Sequence, residues 1–364
     1  MSTRLHLFPA VVVAYLAAIV TAAAADPAPE SSGLPPLSPE AQQAADRLKA
    51  TLRAESEARL MLDDILEGSR MGPGSGWFAV AKSKTRFGWE YVAKTFDKNG
   101  DRIVSGMEFV GEPGDFERLD RDGDEVLTAA DFEFNNHAMA RTSGYMLFMT
   151  ADRDGDGHVT KKEMAALFAA LDSGDRGFLS LDDVQYRFEP PDEKTRRADN
   201  RGPDRNTLVL GLARQEIGSL QPGPDLNEMA PDFTLPAVNG GEKVTLSEQI
   251  GERPVVLVFG NFTCGPFRSQ SGNVEKLYER YKDRATFLMV YVREAHPDDG
   301  WSSGRNQSLG VSLNQPTTDA ERHTVARVCQ ATLNFKMPFL VDAIDDKVGA
   351  AYSGMPSRLY VIDG

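Results

Sequence analysis

The sequence predicts a multidomain protein in which an α-helical region of acidic loops is followed by an α/β domain. Two observations lead to this prediction. Acidic loops of one pattern recur within residues 77–188, and short apolar segments separate them. In residues 226–364, short runs of β-branched and aromatic residues alternate with segments of helical periodicity, which is typical of an α/β sheet.

The N-terminal segment, residues 1–25, has the features of a secretory signal peptide. Arg4 supplies the positive charge, Leu5–Val20 is almost wholly apolar, and small residues precede Asp26 at the expected cleavage site. The apolar run is shorter than the about 20 residues that a spanning helix needs. We therefore expect an exported protein, secreted or periplasmic, that does not associate with a membrane after removal of the signal. An uncleaved anchor is the alternative.

Residues 26–76 are predicted to contain a linker and one amphipathic helix. The stretch Asp26–Pro39 is rich in Pro, Ser and Ala and has no apolar periodicity. From Pro39 to Glu67, leucine and isoleucine recur at near-helical spacing among charged residues. A Gly- and Pro-rich cluster, Gly68–Gly76, ends this helix, which we expect to pack on a neighbouring domain.

The acidic loops match the 12-residue calcium loop of the EF-hand, whose oxygen ligands stand at positions 1, 3, 5, 7, 9 and 12. The third loop, which begins at Asp152, meets every requirement, because Gly157 allows the sharp turn and His158 offers its backbone carbonyl. A long apolar helix follows it. The ligands predicted for this loop are Asp152, Asp154, Asp156, His158, Thr160 and Glu163.

Three further loops follow the pattern less closely. The first has Arg102 instead of glycine at position 6, and the second has Glu125 there and ends on an aspartate. The fourth, from Asp172, has lost ligands at positions 3 and 5, so we predict a structural pairing with the third loop and no metal. The ligands predicted for the first loop are Asp97, Asn99, Asp101, Ile103, Ser105 and Glu108, and those for the second, weaker loop are Asp120, Asp122, Asp124, Val126, Thr128 and Asp131.

The net charge of −14 is concentrated in these loops, which favours bound cations. It argues against a nucleic-acid partner, because no basic face is available to replace phosphate counterions. We expect two pairs of loops in residues 77–188 and calcium that stabilises only this N-terminal region. The alternative is a set of Asp- and Gly-rich turns without metal.

Residues 189–225 are rich in Pro, Asp and Arg and predict an interdomain linker with an apolar patch, Leu208–Leu212, that docks on one domain. In the α/β domain that follows, the sequence ends just after a strand. We therefore expect a C-terminally truncated fold with an exposed sheet edge. The predicted elements are a hairpin (Phe233–Leu235 and Val244–Leu246), strands Val255–Phe259, Thr286–Val292 and Leu359–Ile362, and helices Gly265–Tyr281 and Ala320–Leu333.

Only two cysteines occur, Cys264 and Cys329. Cys264 follows a buried strand and begins a helix, where free N–H groups and the helix dipole favour a thiolate and lower its pKa toward neutrality. An inert buried cysteine is the alternative. Phe267 stands where a thioredoxin has its second cysteine, so dithiol exchange within the loop is impossible. Cys329 lies on a helix and is either a resolving thiol or a core residue. A structural disulfide between the two cysteines is a further alternative.

Four segments occur in an order that resembles the iodothyronine deiodinases, a family of the thioredoxin-like superfamily. They are Phe259–Phe267 around Cys264, Val290–Trp301 with its Glu-Ala-His stretch, Met337–Asp342 and Ala351–Ile362. The resemblance covers the C-terminal third of the chain. It implies a thioredoxin-like fold in that third, with Cys264 at the position of the family's selenocysteine.

The resemblance also implies a chemistry, thyroxine 5'-deiodinase activity. Cys264 would attack the halogen of an iodinated aromatic molecule, while Glu294 and His296 would serve binding and proton transfer. On a strand-like segment, residues two apart face the same side, so we expect both to reach one site. The expected partners are a small-molecule substrate and an external thiol reductant, and we expect no organic cofactor.

Three functions remain open on the sequence. The first is a calcium-binding, Cys-dependent thiol oxidoreductase that removes iodine reductively from iodinated phenols. The second is a general redoxin that acts on peroxides or disulfides. The third is a calcium-binding scaffold with an inactive thioredoxin fold.

Overall fold

The structure, a computed structural model, describes residues 34–68, 85–111, 114–132, 143–185, 187–188 and 203–363. The predicted signal peptide and the Gly-rich cluster at 69–76 lie outside these residues. In the part that is described, every helix is too short or too polar to cross a bilayer.

The elements are numbered in chain order. The helices are α1 (Pro39–Thr51), α2 (Glu57–Leu66), α3 (Trp89–Phe96), α4 (Asp115–Leu119), α5 (Ser143–Ala151), α6 (Lys161–Leu171), α7 (Leu181–Gln185), α8 (Arg205–Ala213), α9 (Gly265–Tyr281), α10 (Gly304–Ser308), α11 (Asp319–Thr332) and α12 (Lys347–Ala351). The strands are β1 (Val104–Ser105), β2 (Val126–Leu127), β3 (Thr234–Pro236), β4 (Lys243–Thr245), β5 (Val255–Gly260), β6 (Thr286–Tyr291), β7 (Phe339–Val341) and β8 (Arg358–Ile362).

The single amphipathic helix predicted between Pro39 and Glu67 is two helices, α1 and α2. The chain restarts at α2 because the Ser56 side chain caps it, accepting a hydrogen bond from the N–H of Arg59 at 3.3 Å. The apolar faces of α1 and α2 pack against α8, which forms in the predicted linker from the patch Leu208–Leu212. This three-helix cluster is joined to β8 by an ion pair between Glu57 and Arg358 at 2.5 Å.

The region of acidic loops has two small apolar cores. The first and second loops are joined by the short antiparallel pair β1–β2, in which Val104 lies opposite Leu127 and both are fully buried. Around the third and fourth loops, α5 and α6 contribute Ala151 and Leu167 to one small buried cluster. Residues 152–185, all of which are described, contain no strand pair of the β1–β2 kind.

The α/β region is built on a four-stranded sheet in the order β7-β6-β5-β8. Strands β5, β6 and β7 are parallel, and β8 runs antiparallel to β5. Every residue of β5 is buried, as expected for a strand covered on both faces. With α9 crossing from β5 to β6, this arrangement is a thioredoxin-like α/β fold.

The sequence prediction of this region is confirmed for the hairpin β3–β4, for strands β5, β6 and β8, and for helices α9 and α11. Three short elements, α10, β7 and α12, were not predicted. Each has five residues or fewer, which is too short for a periodic apolar pattern to show.

Candidate redox site and candidate calcium loops

Cys264 lies between β5 and α9, at the N-cap of α9, as the sequence predicts. Asn261 shapes the turn that carries it. The Asn261 side-chain oxygen accepts hydrogen bonds from the N–H of Cys264 at 2.9 Å and of Ala295 at 3.2 Å. Its amide nitrogen donates to the carbonyl oxygen of Pro356 at 3.0 Å. This single buried side chain therefore fixes the cysteine turn against two later segments of the chain.

Glu294 lies fully buried beneath this turn. One carboxylate oxygen accepts hydrogen bonds from the N–H and the hydroxyl of Thr263, at 2.8 and 2.6 Å, and the other accepts the hydroxyl of Tyr291. Burial raises the pKa of Glu294, against the effect of these hydrogen bonds. Glu294 thus holds the residue that precedes Cys264.

The side chain of His296 does not lie beneath the cysteine turn with Glu294. Its side chain lines a cleft of about 230 Å³ beside the first turn of α9. Its Nδ1 lies 3.0 Å from the carbonyl oxygen of Trp301, and because a carbonyl only accepts, Nδ1 carries the proton. Burial lowers the pKa of His296, so the ring is neutral near pH 7 and Nε2 is an acceptor. The expectation that Glu294 and His296 face one site is wrong, because the chain bends at residues 295–296. Thr263 connects the two residues, since its hydroxyl oxygen also accepts the backbone N–H of His296 at 2.9 Å.

Arg268 lies one helical turn after Cys264 and is only 2% exposed. Its guanidinium donates to the carbonyl oxygen of Phe262 at 2.5 Å and to the side-chain oxygen of Asn306 at 2.6 Å. Asn306 in turn donates to the carbonyl oxygen of Thr263 at 2.8 Å. Arg268 and Asn306 therefore clamp the carbonyl groups of the turn and place a positive charge near the thiol.

Burial raises the pKa of Cys264 to about 11. The expected fall of this pKa toward neutrality does not occur, because the side chain is enclosed in the core. The N–H of Phe267, the charge of Arg268 and the Ser357 hydroxyl act in the opposite direction, while Glu294 adds to the rise. The thiolate is thus supported by specific groups but is a minor species at neutral pH.

Cys329 lies on α11 and is fully buried in the core of the α/β region. It is not bonded to Cys264 in this structure. Burial raises its pKa well above the usual value. Both thiols influence the Arg268 guanidinium electrostatically, so they belong to one neighbourhood. The resolving role of Cys329 stays a prediction.

The four acidic loops share one backbone geometry. In each, the carboxylate at position 1 accepts a hydrogen bond from the N–H at position 6, at distances of 2.7 to 3.1 Å. The residue at position 6 has a positive φ, which glycine adopts freely and other residues only with strain. These residues are Arg102 (64°), Glu125 (69°), Gly157 (79°) and Gly177 (78°).

The third loop brings its predicted ligands together. Carboxylate oxygens of Asp152, Asp154 and Asp156 lie within 4.8 Å of one another. Glu163 at position 12 accepts the N–H of Thr160 at 2.9 Å and turns its carboxylate toward the loop. Burial raises the pKa of Asp152 and Asp156, so a cation would relieve both burial and mutual repulsion.

The first two loops differ in detail. In the second loop, carboxylate oxygens of Asp120, Asp122 and Asp131 lie within the same 4.8 Å. In the first loop, Asp97 accepts the N–H of Gly100 at 2.7 Å and Glu108 accepts the hydroxyl of Ser105 at 2.8 Å. The remaining predicted ligands of these loops, Asn99, Asp101, Ile103, Asp124, Val126 and Thr128, occupy the described loop segments.

In the fourth loop, an arginine takes the place of a cation. Arg176, at position 5, donates from its guanidinium to Asp172 at 3.1 Å and to Asp183 at 2.7 Å. It thereby neutralises the two acidic ends of the loop. That this loop holds no metal stays a prediction.

Several residues of the redox site were not singled out from the sequence. Asn261 acts from within the turn, through the N–H of Cys264, whereas Tyr291 and Asn306 act from other segments and Arg268 acts through a backbone carbonyl. A buried arginine among apolar helix positions is a signal of such a role, because arginine is almost never fully buried without partners.

The comparisons concern the C-terminal region. Residues 219–364 match the family model described as iodothyronine deiodinase. Type II iodothyronine deiodinase of Sus scrofa is 33% identical over 34% of this chain and 47% of the relative. Thyroxine 5-deiodinase of Gallus gallus is 31% identical over 40% of this chain and 52% of the relative. The chain thus spans about half the length of these curated relatives.

Solved structures also overlap this region. The thioredoxin domain of a thiol-disulfide oxidoreductase from Bacteroides vulgatus is 16% identical, with a TM-score of 0.26, and covers 38% of this chain and 80% of its own. A thiol-disulfide oxidoreductase from Bacteroides fragilis is 15% identical, with a TM-score of 0.27, and covers 37% of this chain and 83% of its own. The strand order β7-β6-β5-β8, with α9 between β5 and β6, defines the fold of this region.

Proposed function

We propose, from the match of residues 219–364 to the iodothyronine deiodinase family, that this protein is a Cys-dependent thiol oxidoreductase that removes iodine reductively from iodinated phenols. The observation that supports this most directly is the constellation at the start of α9. Cys264 occupies the N-cap position of the helix, Arg268 places a positive charge beside it, and His296 lines the adjoining cleft.

The reaction that fits this constellation is a two-electron reduction. The Cys264 thiolate attacks the iodine of the aromatic ring, the electron pair of the carbon–iodine bond stays on carbon, and that carbon takes up a proton. The resulting sulfur–iodine bond is broken by an external thiol, which releases iodide and leaves a mixed disulfide. A second external thiol frees Cys264, so two thiols are oxidised to a disulfide for each iodide released.

The neighbouring side chains have distinct roles in this proposal. The Nε2 atom of neutral His296 accepts the hydrogen bond of the phenol hydroxyl. Glu294 contacts no substrate and is a positioning residue, because it acts through Thr263. Arg268 stabilises the thiolate and, through Phe262, the turn that carries it.

We also propose that loops one to three bind calcium, most tightly in the third. The proposal of calcium binding is supported by the sequence pattern, by the shared backbone geometry and by the close carboxylates of the third loop. Bound calcium would neutralise these carboxylates and order the loop. Export of the protein stays a prediction.

The test is iodide release from an iodinated phenol, such as 2,6-diiodophenol, with excess dithiothreitol. We expect iodide release by the unmutated protein, at least a hundredfold loss in Cys264→Ser, and a smaller loss in Cys329→Ser. Equal release by Cys264→Ser and the unmutated protein would contradict the proposal.

Two outcomes lead to the other functions. Consumption of hydrogen peroxide without iodide release, again dependent on Cys264, indicates the general redoxin. No turnover of either substrate, with calcium binding retained, indicates the scaffold, which the high pKa of the enclosed Cys264 thiol favours.

A further inference from the structure

The third acidic loop packs directly on the redox helix α9. Ser271 of α9 donates a hydrogen bond to the carbonyl oxygen of Asp156 at 2.5 Å. A Cβ at Gly272 would lie 2.5 Å from the carbonyl oxygen of Gly157, and a Cβ at Gly157 would clash with the carbonyl oxygen of Arg268. Only paired glycines allow this approach of two backbones. The contact begins one helical turn after Cys264.

The cleft beside His296 lies at this junction, so its two walls come from different regions. One wall is formed by α5 and the third loop, with Tyr145, Met149 and Gly155. The other wall is formed by the start of α9 and by α10. Arg305 of α10 also reaches across and donates to the carbonyl oxygen of Met149 at 3.4 Å.

The lining of the cleft suits an aromatic anion. Met149, Leu309, Pro266 and Tyr145 provide apolar and aromatic surface, and Arg268 and Arg305 provide positive charge. The acidic residue in the lining, Asp152, is engaged by its own loop, since its carboxylate accepts the N–H groups of positions 5 and 6, each at 3.1 Å.

The size of the cleft limits the ligand further. Drug-sized ligands occupy pockets of about 300–1,000 Å³. The cleft has a volume of about 230 Å³, which suits a single substituted ring better than two linked rings.

We propose that this cleft binds a single-ring iodinated phenol with an anionic substituent, and that the calcium-loop region forms an essential wall of the site. The identity of the iodinated ligand rests on the proposed function. Because the wall is continuous with the third loop, calcium in that loop and ligand in the cleft stabilise the same arrangement. Their affinities are then linked, and each raises the affinity of the other by the same factor.

The experiment measures equilibrium binding of 3,5-diiodo-4-hydroxybenzoate to the Cys264→Ser protein by calorimetry, so that no turnover intervenes. We expect Met149→Glu to weaken binding at least tenfold, because it places a negative charge in the cleft. Met164→Glu, at a 43% exposed methionine of the same region, is the matched control and should bind normally. Leu309→Gln tests the opposite wall, and circular dichroism verifies that each variant is folded.

Calcium provides the second measurement. Removal of calcium with EGTA should weaken binding of the probe at least fivefold, within the usual range of coupling between sites. Asp154→Asn in the third loop, at a residue outside the lining of the cleft, should reproduce this loss, and Asp97→Asn in the first loop should not.

The outcomes separate this inference from the proposed function. Equal binding by the Met149→Glu, Leu309→Gln and Met164→Glu proteins overturns the cleft as the site, even if iodide release depends on Cys264. Equal binding with calcium and with EGTA overturns the linkage. Tighter binding of a two-ring iodinated diphenyl ether overturns the size limit. If binding depends on Met149 but the unmutated protein releases no iodide, the cleft remains the binding site and the proposed reaction is wrong.

Discussion

Two effects of opposite sign act on the thiol of Cys264. The N-terminus of α9 and the charge of Arg268 favour the thiolate, whereas enclosure in the core favours the thiol. Burial is the larger effect, and the pKa lies at about 11. The position in the chain predicts a reactive cysteine, and the surrounding side chains determine how much of it is ionised.

The first prediction concerns the pH dependence of this thiol and its dependence on Arg268. Because the pKa is raised to about 11, the rate of alkylation of Cys264 by iodoacetamide should rise nearly tenfold per pH unit from pH 7 to 9, without levelling near 8.5. In Arg268→Met the loss of the positive charge should raise the pKa further and lower the rate about tenfold at pH 8. The rate is measured by quenching the reaction at successive times and quantifying the alkylated Cys264 peptide by mass spectrometry.

The control is Lys276→Met, which removes an exposed charge from the same helix and should leave the rate unchanged. If the role of Arg268 is purely structural, Arg268→Met should increase the alkylation rate, because a looser core exposes the thiol. Faster alkylation of Arg268→Met would therefore contradict the electrostatic role.

At the scale of residues, the sequence predicts which segments meet around Cys264 better than it predicts the orientation of their side chains. Glu294 and His296 were selected through the resemblance of their segment, and Cys264 through its place between a strand and a helix; their chemical roles stay predictions. Glu294 was expected to face the substrate, but it is buried and holds Thr263, because the chain bends after β6. The role of Arg268 depends on a carbonyl group and on Asn306, which comes from α10, and a linear pattern does not show such contacts.

At the scale of elements, the contact between the third loop and α9 leads to a stability prediction. Gly272→Ala increases helix propensity, but the new Cβ would lie 2.5 Å from the Gly157 carbonyl oxygen. We expect a net destabilisation of about 1–3 kcal/mol, as for other overpacked sites. The midpoint of urea unfolding, followed by circular dichroism, measures it.

Gly304→Ala is the matched control for this substitution, because nothing lies within 4 Å of a Cβ at that helical glycine. It should change stability by less than about 1 kcal/mol. If Gly272→Ala stabilises the protein as much as Gly304→Ala does, the close approach of the loop to α9 is absent in solution.

Long elements with clear periodicity were predicted well, and short or divided ones were not. The bounds of α9 agree with the predicted helix at both ends, because the residue at its N-cap position and the residues of its buried face belong to one continuous segment. The division between α1 and α2 was missed, since it depends on the cap at Ser56 within a continuous apolar pattern. The helix α8 was recognised only as an apolar patch that docks.

At the scale of the whole molecule, calcium is expected to stabilise more than the loop region. This differs from the initial expectation, because the third loop packs on the redox helix. At a calcium concentration about 100 times the Kd, one site adds about 2.7 kcal/mol. EGTA should then lower the thermal midpoint of the α/β region by roughly 5–10 °C. Differential scanning calorimetry with and without calcium measures the change.

The first and third loops serve as controls for each other in this measurement. Asp152→Asn should lower the midpoint of the α/β region, while Asp97→Asn should affect only the part around β1 and β2. Identical calorimetric traces with calcium and with EGTA would show that the loops bind no calcium under these conditions.

The three-helix cluster has a consequence for the order of folding. The N–H of Ser38, just before α1, bonds to the side chain of Asn206, 168 residues later, and the apolar faces of α1 and α2 are covered by α8. Contacts so distant in sequence form slowly, because a long loop has to close before they contribute. The helix α1 therefore leaves the ribosome well before its partner α8, because Asn206 follows Ser38 by 168 residues. The N-terminus of the described chain is thus assembled late.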